Sequence, residues 1–164
     1  MSTRHFLQIS DFSSEELNEI LAVSASLKDM QRVGQPHKDL DGKTLAMIFE
    51  KPSNRTRLSF EVGMYQLGGY AINVLASDIQ MGVRETVEDV ARVFSRYHDI
   101  VMIRAYRHSD IDTFAAHSSI PIINGLSDTA HPCQAMADLL TIQEHKGSLA
   151  GLKLAFVGDA NNVS

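Results

Sequence analysis

Apolar positions along the chain alternate between two rhythms, one helical and one that of short continuous runs. Leu17, Ile20, Leu21 and Leu27 recur at helical spacing, and Gly34 stops them. Ser13 and Glu16 stand ahead of that stripe at the spacing of a capping box. An apolar run at 45–49 follows Asp41-Gly42 and reads as a buried strand. The polar turn Pro52-Ser53-Asn54 then leads into a helix with Leu58, Val62 and Tyr65 on one face, ended by Gly68-Gly69. Residues 70–75 read as a second strand. Residues 76–85 are polar, contain Gly82 and show no apolar residues arranged to dock them, which predicts an exposed loop. Thr86 and Asp89 cap the next helix, whose inner face is Val87, Val90, Ala91 and Phe94. A third strand follows at 100–103, a short helix capped by Ser109 and Asp112, and a fourth strand at 120–123. His131-Pro132 opens a long helix carrying Met136, Leu139 and Leu140, because proline suits the first helical position, and Gly147 closes it.

Apolar strands alternating with crossover helices predict an α/β fold, with a parallel sheet flanked by helices on both faces. Residues 1–130 form the body of this unit, and 131–148 a linking helix. Residues 152–157 read as a further buried strand before the turn Gly158-Asp159, so 149–164 is expected to be the start of a second α/β domain, truncated. There is no internal repeat and no low-complexity segment.

Composition narrows the class. Apolar residues at 44% and charged residues at 21% suit one globular core. A net charge of -5 argues against a nucleic-acid or polybasic membrane surface, and leaves a local basic pocket open. No apolar run spans a bilayer, no signal core follows Met1-Ser2-Thr3-Arg4-His5, and the single Cys133 allows no intrachain disulfide; a cytoplasmic setting is expected.

In a parallel sheet, ligands sit where strands turn into helices at their carboxyl ends. Three segments fall there. Ser53-Asn54-Arg55-Thr56-Arg57 opens a helix, whose free N–H groups and positive dipole end suit a phosphate. The same residues also fit a Ser/Asn cap with solvated arginines. Arg104, past the third strand, gains weight only because neighbouring strand ends share a crevice; by itself it is a surface arginine. His131-Pro132-Cys133-Gln134 follows the fourth strand. A histidine at a helix start is held neutral by the dipole and can donate to a carbonyl, while Gln134 can read an amide. A capped helix with a satisfied histidine is the plainer reading. Cys133 has no base beyond His131, which makes it a small first-turn residue rather than a nucleophile. Arg57 and Glu61, four apart, form a structural pair.

Together these motifs resemble the carbamoyltransferase family. Ser53-Asn54-Arg55-Thr56-Arg57 with Leu58-Ser59-Phe60-Glu61 is similar to its phosphate loop, with Asn54 in place of the usual threonine. His131-Pro132-Cys133-Gln134 is similar to its His-Pro-x-Gln, and Arg104 lies between in order. Three further stretches resemble the ornithine branch: Asp78-Ile79-Gln80-Met81-Gly82, Ile122-Ile123-Asn124-Gly125-Leu126-Ser127-Asp128 and Gly158-Asp159-Ala160-Asn161-Asn162-Val163.

The resemblance implies carbamoyl transfer from carbamoyl phosphate to the δ-amine of L-ornithine, without metal or organic cofactor. It implies that Arg55, Arg104 and His131 are catalytic. It places Ser53, Asn54, Arg55, Thr56 and Arg104 on the phosphate, Thr56, Arg104 and His131 on the carbonyl oxygen and Gln134 on the carbamoyl NH2. Asn162 would contact ornithine, and Gln80 would reach a neighbour's site in a homotrimer. The chain would hold the carbamoyl-phosphate half and turn over little alone. Two other readings stay open: transfer to aspartate, putrescine or an acylated ornithine, and a non-catalytic anion-binding module. The second has no use for the carbonyl-directed set Arg104, His131 and Gln134.

Overall fold

The computed structural model describes residues 3–158 and residue 162. Its elements are α1 (Ser14–Arg32), β1 (Thr44–Phe49), α2 (Asn54–Gln66), β2 (Tyr70–Leu75), α3 (Ala76–Ile79), α4 (Val87–Tyr97), β3 (Ile100–Arg104), α5 (His108–His117), β4 (Ile122–Leu126) and α6 (Pro132–Lys146). The strands form one parallel sheet in the order β2-β1-β3-β4. This is the expected fold class: α4 and α5 cover one face and α2 the other.

The sheet carries two cores because successive side chains point to opposite faces. Ala46, Ile48, Val101, Ile103 and Ile122 pack with Val90 and Ala91 of α4 and with Ile111 and Phe114 of α5. Leu45, Met47 and Met102 pack with Met64 and Phe60 of α2. Buried on both sides, β1 and β3 read as unbroken apolar runs, whereas edge strand β2 keeps Tyr70 and Leu75 exposed.

Several local expectations hold. Ser13 and Glu16 form the capping box of α1, Thr86 accepts from the Asp89 N–H at the start of α4, and Pro132 opens α6. Among the described residues, no helix is long and apolar enough to cross a membrane.

Five expectations change. The stripe Leu58, Val62 and Tyr65 faces outward, at 51%, 48% and 82% exposure, and α2 buries Phe60 and Met64 instead. Two stripes two residues apart both have helical period, and packing against Leu45, Met47 and Met102 of β1 and β3 selects the second. Residues 76–85 do dock: Ala76–Ile79 is a helical turn, and Ile79 and Met81 pack on the α4–α5 core. The α5 cap is not Ser109 with Asp112. Arg107 precedes the helix without a side-chain cap, and the His108 N–H donates to Asp128 Oδ1 at 2.8 Å. The fourth strand begins at Ile122, after Pro121, and runs on to Leu126. Residues 152–157 are exposed and outside any strand, Leu154 at 80% and Val157 at 95%. A strand needs a ladder partner, and none of the four strands pairs with them. Met1, Ser2 and the stretch from Asp159 to Ser164, apart from Asn162, lie outside the described residues.

Candidate active site

The strand order places β1 and β3 side by side, with Phe49 opposite Arg104 and Arg104 opposite Leu126. The chain leaves β1 for β2 on one side and reaches β3 on the other. The crevice beyond their carboxyl ends is the switch point where such sheets bind ligands. Ser53 and His131 follow the ends of β1 and β4, and Arg104 is the last residue of β3.

Ser53 caps α2. Its Oγ accepts from the Thr56 N–H at 3.4 Å and lies 3.0 Å from Thr56 Oγ1. Arg104 Nη1 donates to the same Thr56 hydroxyl at 3.3 Å, which joins two segments 48 residues apart. The backbone ties the strand ends as well: the Glu50 N–H donates to the Arg104 carbonyl at 2.9 Å, and the Tyr106 N–H donates to Glu50 Oε2 at 2.7 Å.

Arg104 is half-buried. Burial first, then the Arg55 charge, pulls its pKa below the usual arginine range. His131 is also lowered, by burial first and by the Arg104 charge second, with Asp138 opposing. The shift favours the neutral imidazole, and its causes are burial and Arg104. Arg104 Nε and His131 Nδ1 are buried and have no hydrogen-bond partner among the described residues. His98 Nδ1 shares this state, but only Arg104 and His131 lie together at the strand ends, where one ligand could satisfy both.

The other candidates divide. Asn54 and Arg55 are exposed in the first turn of α2, and Arg57 pairs with Glu61 at 2.9 Å as a structural couple. Gln134 is exposed in the first turn of α6, donating to Asp138 Oδ1 at 2.9 Å. Asn162 lies with His131 along one cleft, and its amide donates to the Ser127 carbonyl. Gln80 is exposed, at a left-handed φ of 46°, and no hydrogen bond ties it to the other candidates. Burial pushes the Cys133 thiol up to about 11, so it carries no thiolate near neutral pH. A cleft of about 480 Å³ beneath α2 contains none of these residues, and its charged pair, Lys43 and Asp99, is internally satisfied at 2.9 Å. No group of three His, Cys, Asp or Glu among the described residues could hold a metal ion.

Sequence reasoning quoted Asn124 and Ser127 only as part of a resembling stretch and left out His108; the three form a buried polar set in the segments next to His131. The signal appears only once β4 is seen to run to Leu126, which buries the Asn124 amide and obliges it to be satisfied internally.

Known proteins share this sequence and fold. Residues 4–144 match the model of the aspartate/ornithine carbamoyltransferase carbamoyl-P binding domain. An ornithine carbamoyltransferase of Anoxybacillus flavithermus is 53% identical over 98% of this chain and 51% of its own length. The structure of ornithine carbamoyltransferase from Pyrococcus furiosus superposes with a TM-score of 0.96 at 51% identity, over 99% of this chain and 52% of that one. The catalytic subunit of M. jannaschii aspartate transcarbamoylase gives 0.88 at 36% identity, over 98% and 54%. The chain thus spans about half the length of these relatives. Matched over residues 4–144 and 53% identical to a relative along nearly its whole length, the chain belongs to the aspartate/ornithine carbamoyltransferase family, in its carbamoyl-phosphate-binding domain.

Proposed function

We propose that the carboxyl edge of this sheet binds carbamoyl phosphate, and that a protein of the relatives' length transfers its carbamoyl group to L-ornithine. One observation carries the reading. Arg104 and His131 present buried, unpartnered nitrogens beside Arg55 and the Thr56 hydroxyl at a helix start. A buried donor left unpaired costs about 1–3 kcal/mol. A phosphorylated carbonyl compound offers acceptors to both side chains.

Ser53, Asn54, Arg55, Thr56 and Arg104 hold the phosphate, with the free N–H groups of α2 adding to the field. Thr56, Arg104 and His131 serve the carbonyl oxygen, and Gln134 reads the carbamoyl NH2. The neutral δ-amine of L-ornithine attacks the carbonyl carbon. A C–N bond forms, the C–O bond to phosphate breaks, and the surplus amine proton leaves with the phosphate. Citrulline and phosphate result. Charge builds on the carbonyl oxygen between these events, and donors already in place stabilise it there. A neutral His131 donates its N–H without surrendering the proton. The mixed anhydride is already activated, so no cofactor enters the scheme.

Asn162, anchored on the Ser127 carbonyl beside His131, is assigned to the ornithine side. Gln80 is assigned to the site of a neighbouring subunit in a homotrimer, and the outward stripe Leu58, Val62 and Tyr65 supports assembly through α2. Residues 1–130 are assigned to carbamoyl-phosphate binding, 131–148 to the link and 149–164 to the start of the ornithine domain. These 164 residues are expected to bind and to turn over little.

A second acceptor, aspartate, is favoured by the likeness to the aspartate transcarbamoylase subunit. The higher identity to ornithine enzymes puts ornithine first. Calorimetric titration of carbamoyl phosphate into the chain tests the site. Arg55→Ala should lose about 1.5–3 kcal/mol, the value of a charged hydrogen bond. Equal affinity for both proteins, or no binding to the unaltered chain, removes the assignment.

A further inference from the structure

His131 needs a defined place if it is to serve a carbonyl oxygen, yet it makes no side-chain capping bond and its Nδ1 has no partner among the described residues. What holds it lies behind it. Ala130, the residue before it, is pinned on both sides of its peptide. The Ala130 carbonyl accepts from the Ser127 N–H at 3.0 Å, from Ser127 Oγ at 3.3 Å and from Asn124 Nδ2 at 3.2 Å. The Ala130 N–H donates back to Ser127 Oγ at 3.2 Å. Ser127 and Asn124 are fully buried, at 0% exposure.

Ser127 is in turn held by His108. His108 Nδ1 lies 2.8 Å from Ser127 Oγ, and its Nε2 lies 3.2 Å from Gln8 Nε2. Ser127 Oγ also accepts from the Thr129 N–H at 3.3 Å, so the hydroxyl joins His108 to both ends of the turn, and the His108 tautomer sets which of the two donates in their bond. The His108 N–H is fixed separately by Asp128, and Asp112 Oδ1 stands 3.5 Å from Nε2. One strained residue lies within the same turn. Leu126 has φ 152°, a conformation that L side chains rarely adopt, and its N–H is held by Asn124 Oδ1 at 2.9 Å.

We propose that His108 and Ser127 are positioning residues for His131: their buried hydrogen-bonded row from Gln8 to the Ala130 carbonyl fixes the turn that delivers the imidazole to the sheet edge. The reasoning is that a functional side chain without bonds of its own is only as well placed as the backbone beneath it. The proposal rests on the carbamoyl-phosphate reading of the site, and its test separates the two.

The test uses the 164-residue chain with 15N-labelled histidine, the His131 ring signals being assigned with His131→Asn. His108→Leu removes the hydrogen-bond partner of Ser127. His108→Asn restores it, because the Asn amide nitrogen occupies the place of Nδ1. In His108→Leu the His131 ring signals should move and broaden; in His108→Asn they should return to the original positions. Binding follows the same split. Inorganic phosphate, held by the α2 side, should keep its affinity within about twofold, whereas carbamoyl phosphate should lose about five- to tenfold in His108→Leu and recover in His108→Asn. Should His108→Leu not fold, Ser127→Ala, which deletes one hydroxyl, takes its place with the same expectation. Unchanged His131 signals in a folded His108→Leu or Ser127→Ala protein overturn the proposal. So does an equal loss of phosphate and carbamoyl phosphate. The ring spectrum needs no ligand, so an unaltered chain that binds neither anion overturns the site reading while the spectrum still decides the positioning role.

Discussion

Cys133 shows how closely two neighbouring residues can differ in chemical standing. It is two residues from His131, yet burial holds its thiol at about 11 rather than 9.0. At pH 8 that shift cuts the thiolate fraction by about a hundredfold, since each unit is tenfold. Alkylation by iodoacetamide should therefore be slow in the folded chain and fast once denaturant exposes it. Equal rates in both states would return Cys133 to the list of candidate nucleophiles. His131 is depressed by burial and by Arg104. A bound phosphate would offset the Arg104 charge and favour the imidazolium. Inorganic phosphate should raise the His131 titration midpoint in an imidazole NMR titration. A midpoint that does not respond to saturating phosphate would put the anion elsewhere.

At the scale of elements, α2 is the informative case. It carries one apolar stripe at Phe60 and Met64 that meets the sheet and another at Leu58, Val62 and Tyr65 that meets solvent. Met64 is 6% exposed, and Met64→Ala should cost about 2–5 kcal/mol by the transfer and cavity terms of a core truncation. Val62→Ala should cost under about 1 kcal/mol. Urea unfolding of the two variants decides the phase of the helix, and a reversed order would mean that α2 is rotated. β4 teaches a related lesson. Gly125 is the extra residue of the bulge between β3 and β4, and a Cβ there would oblige the Met102 side chain to shift.

For the whole molecule, acid should act in two windows. His5, His98 and His131 all have folded pKa values below 6.5, each mainly through burial. A depressed value means that the folded state resists protonation. The stability from these groups is complete above pH 6.5 and is lost as pH falls through the folded values. Asp99, tied to Lys43 and Thr44, is lowered from 3.8 to about 2. Its contribution is lost below pH 3.8, and at 38% side-chain exposure it is worth under about 1 kcal/mol. Denaturant midpoints should thus decline from pH 7 to 5 and again below 4. A flat profile from pH 7 to 5 would contradict the histidine burial. Assembly belongs to this scale too. Tyr65→Glu alters an 82% exposed side chain, so it should leave the thermal unfolding of the monomer unchanged while shifting sedimentation toward smaller species. Unaltered sedimentation of an assembled protein would place its interface away from α2.

What the sequence determined by itself was everything encoded within a few residues. The alternation of elements, the caps at Ser13 and Thr86, Pro132 at the head of α6 and the placing of Ser53, Arg104 and His131 at or beyond strand ends are all local. Caps and periodicities are set by neighbours one to four positions away, and a chain of buried strands with crossovers leaves little choice but a parallel sheet. Tertiary structure decided what depends on distant partners. Two stripes of equal period compete on α2, and only contact with β1 and β3 selects between them. Residues 152–157 have the composition of a strand, but a strand exists only against another. Segment 76–85 looked undocked because two separated residues, Ile79 and Met81, supply its anchors. The order β2-β1-β3-β4 brings Arg104 to Thr56 across 48 residues. The row from Gln8 through His108 and Ser127 to Ala130 joins three distant segments. No local pattern announces such contacts, because their free energy appears only when the segments meet.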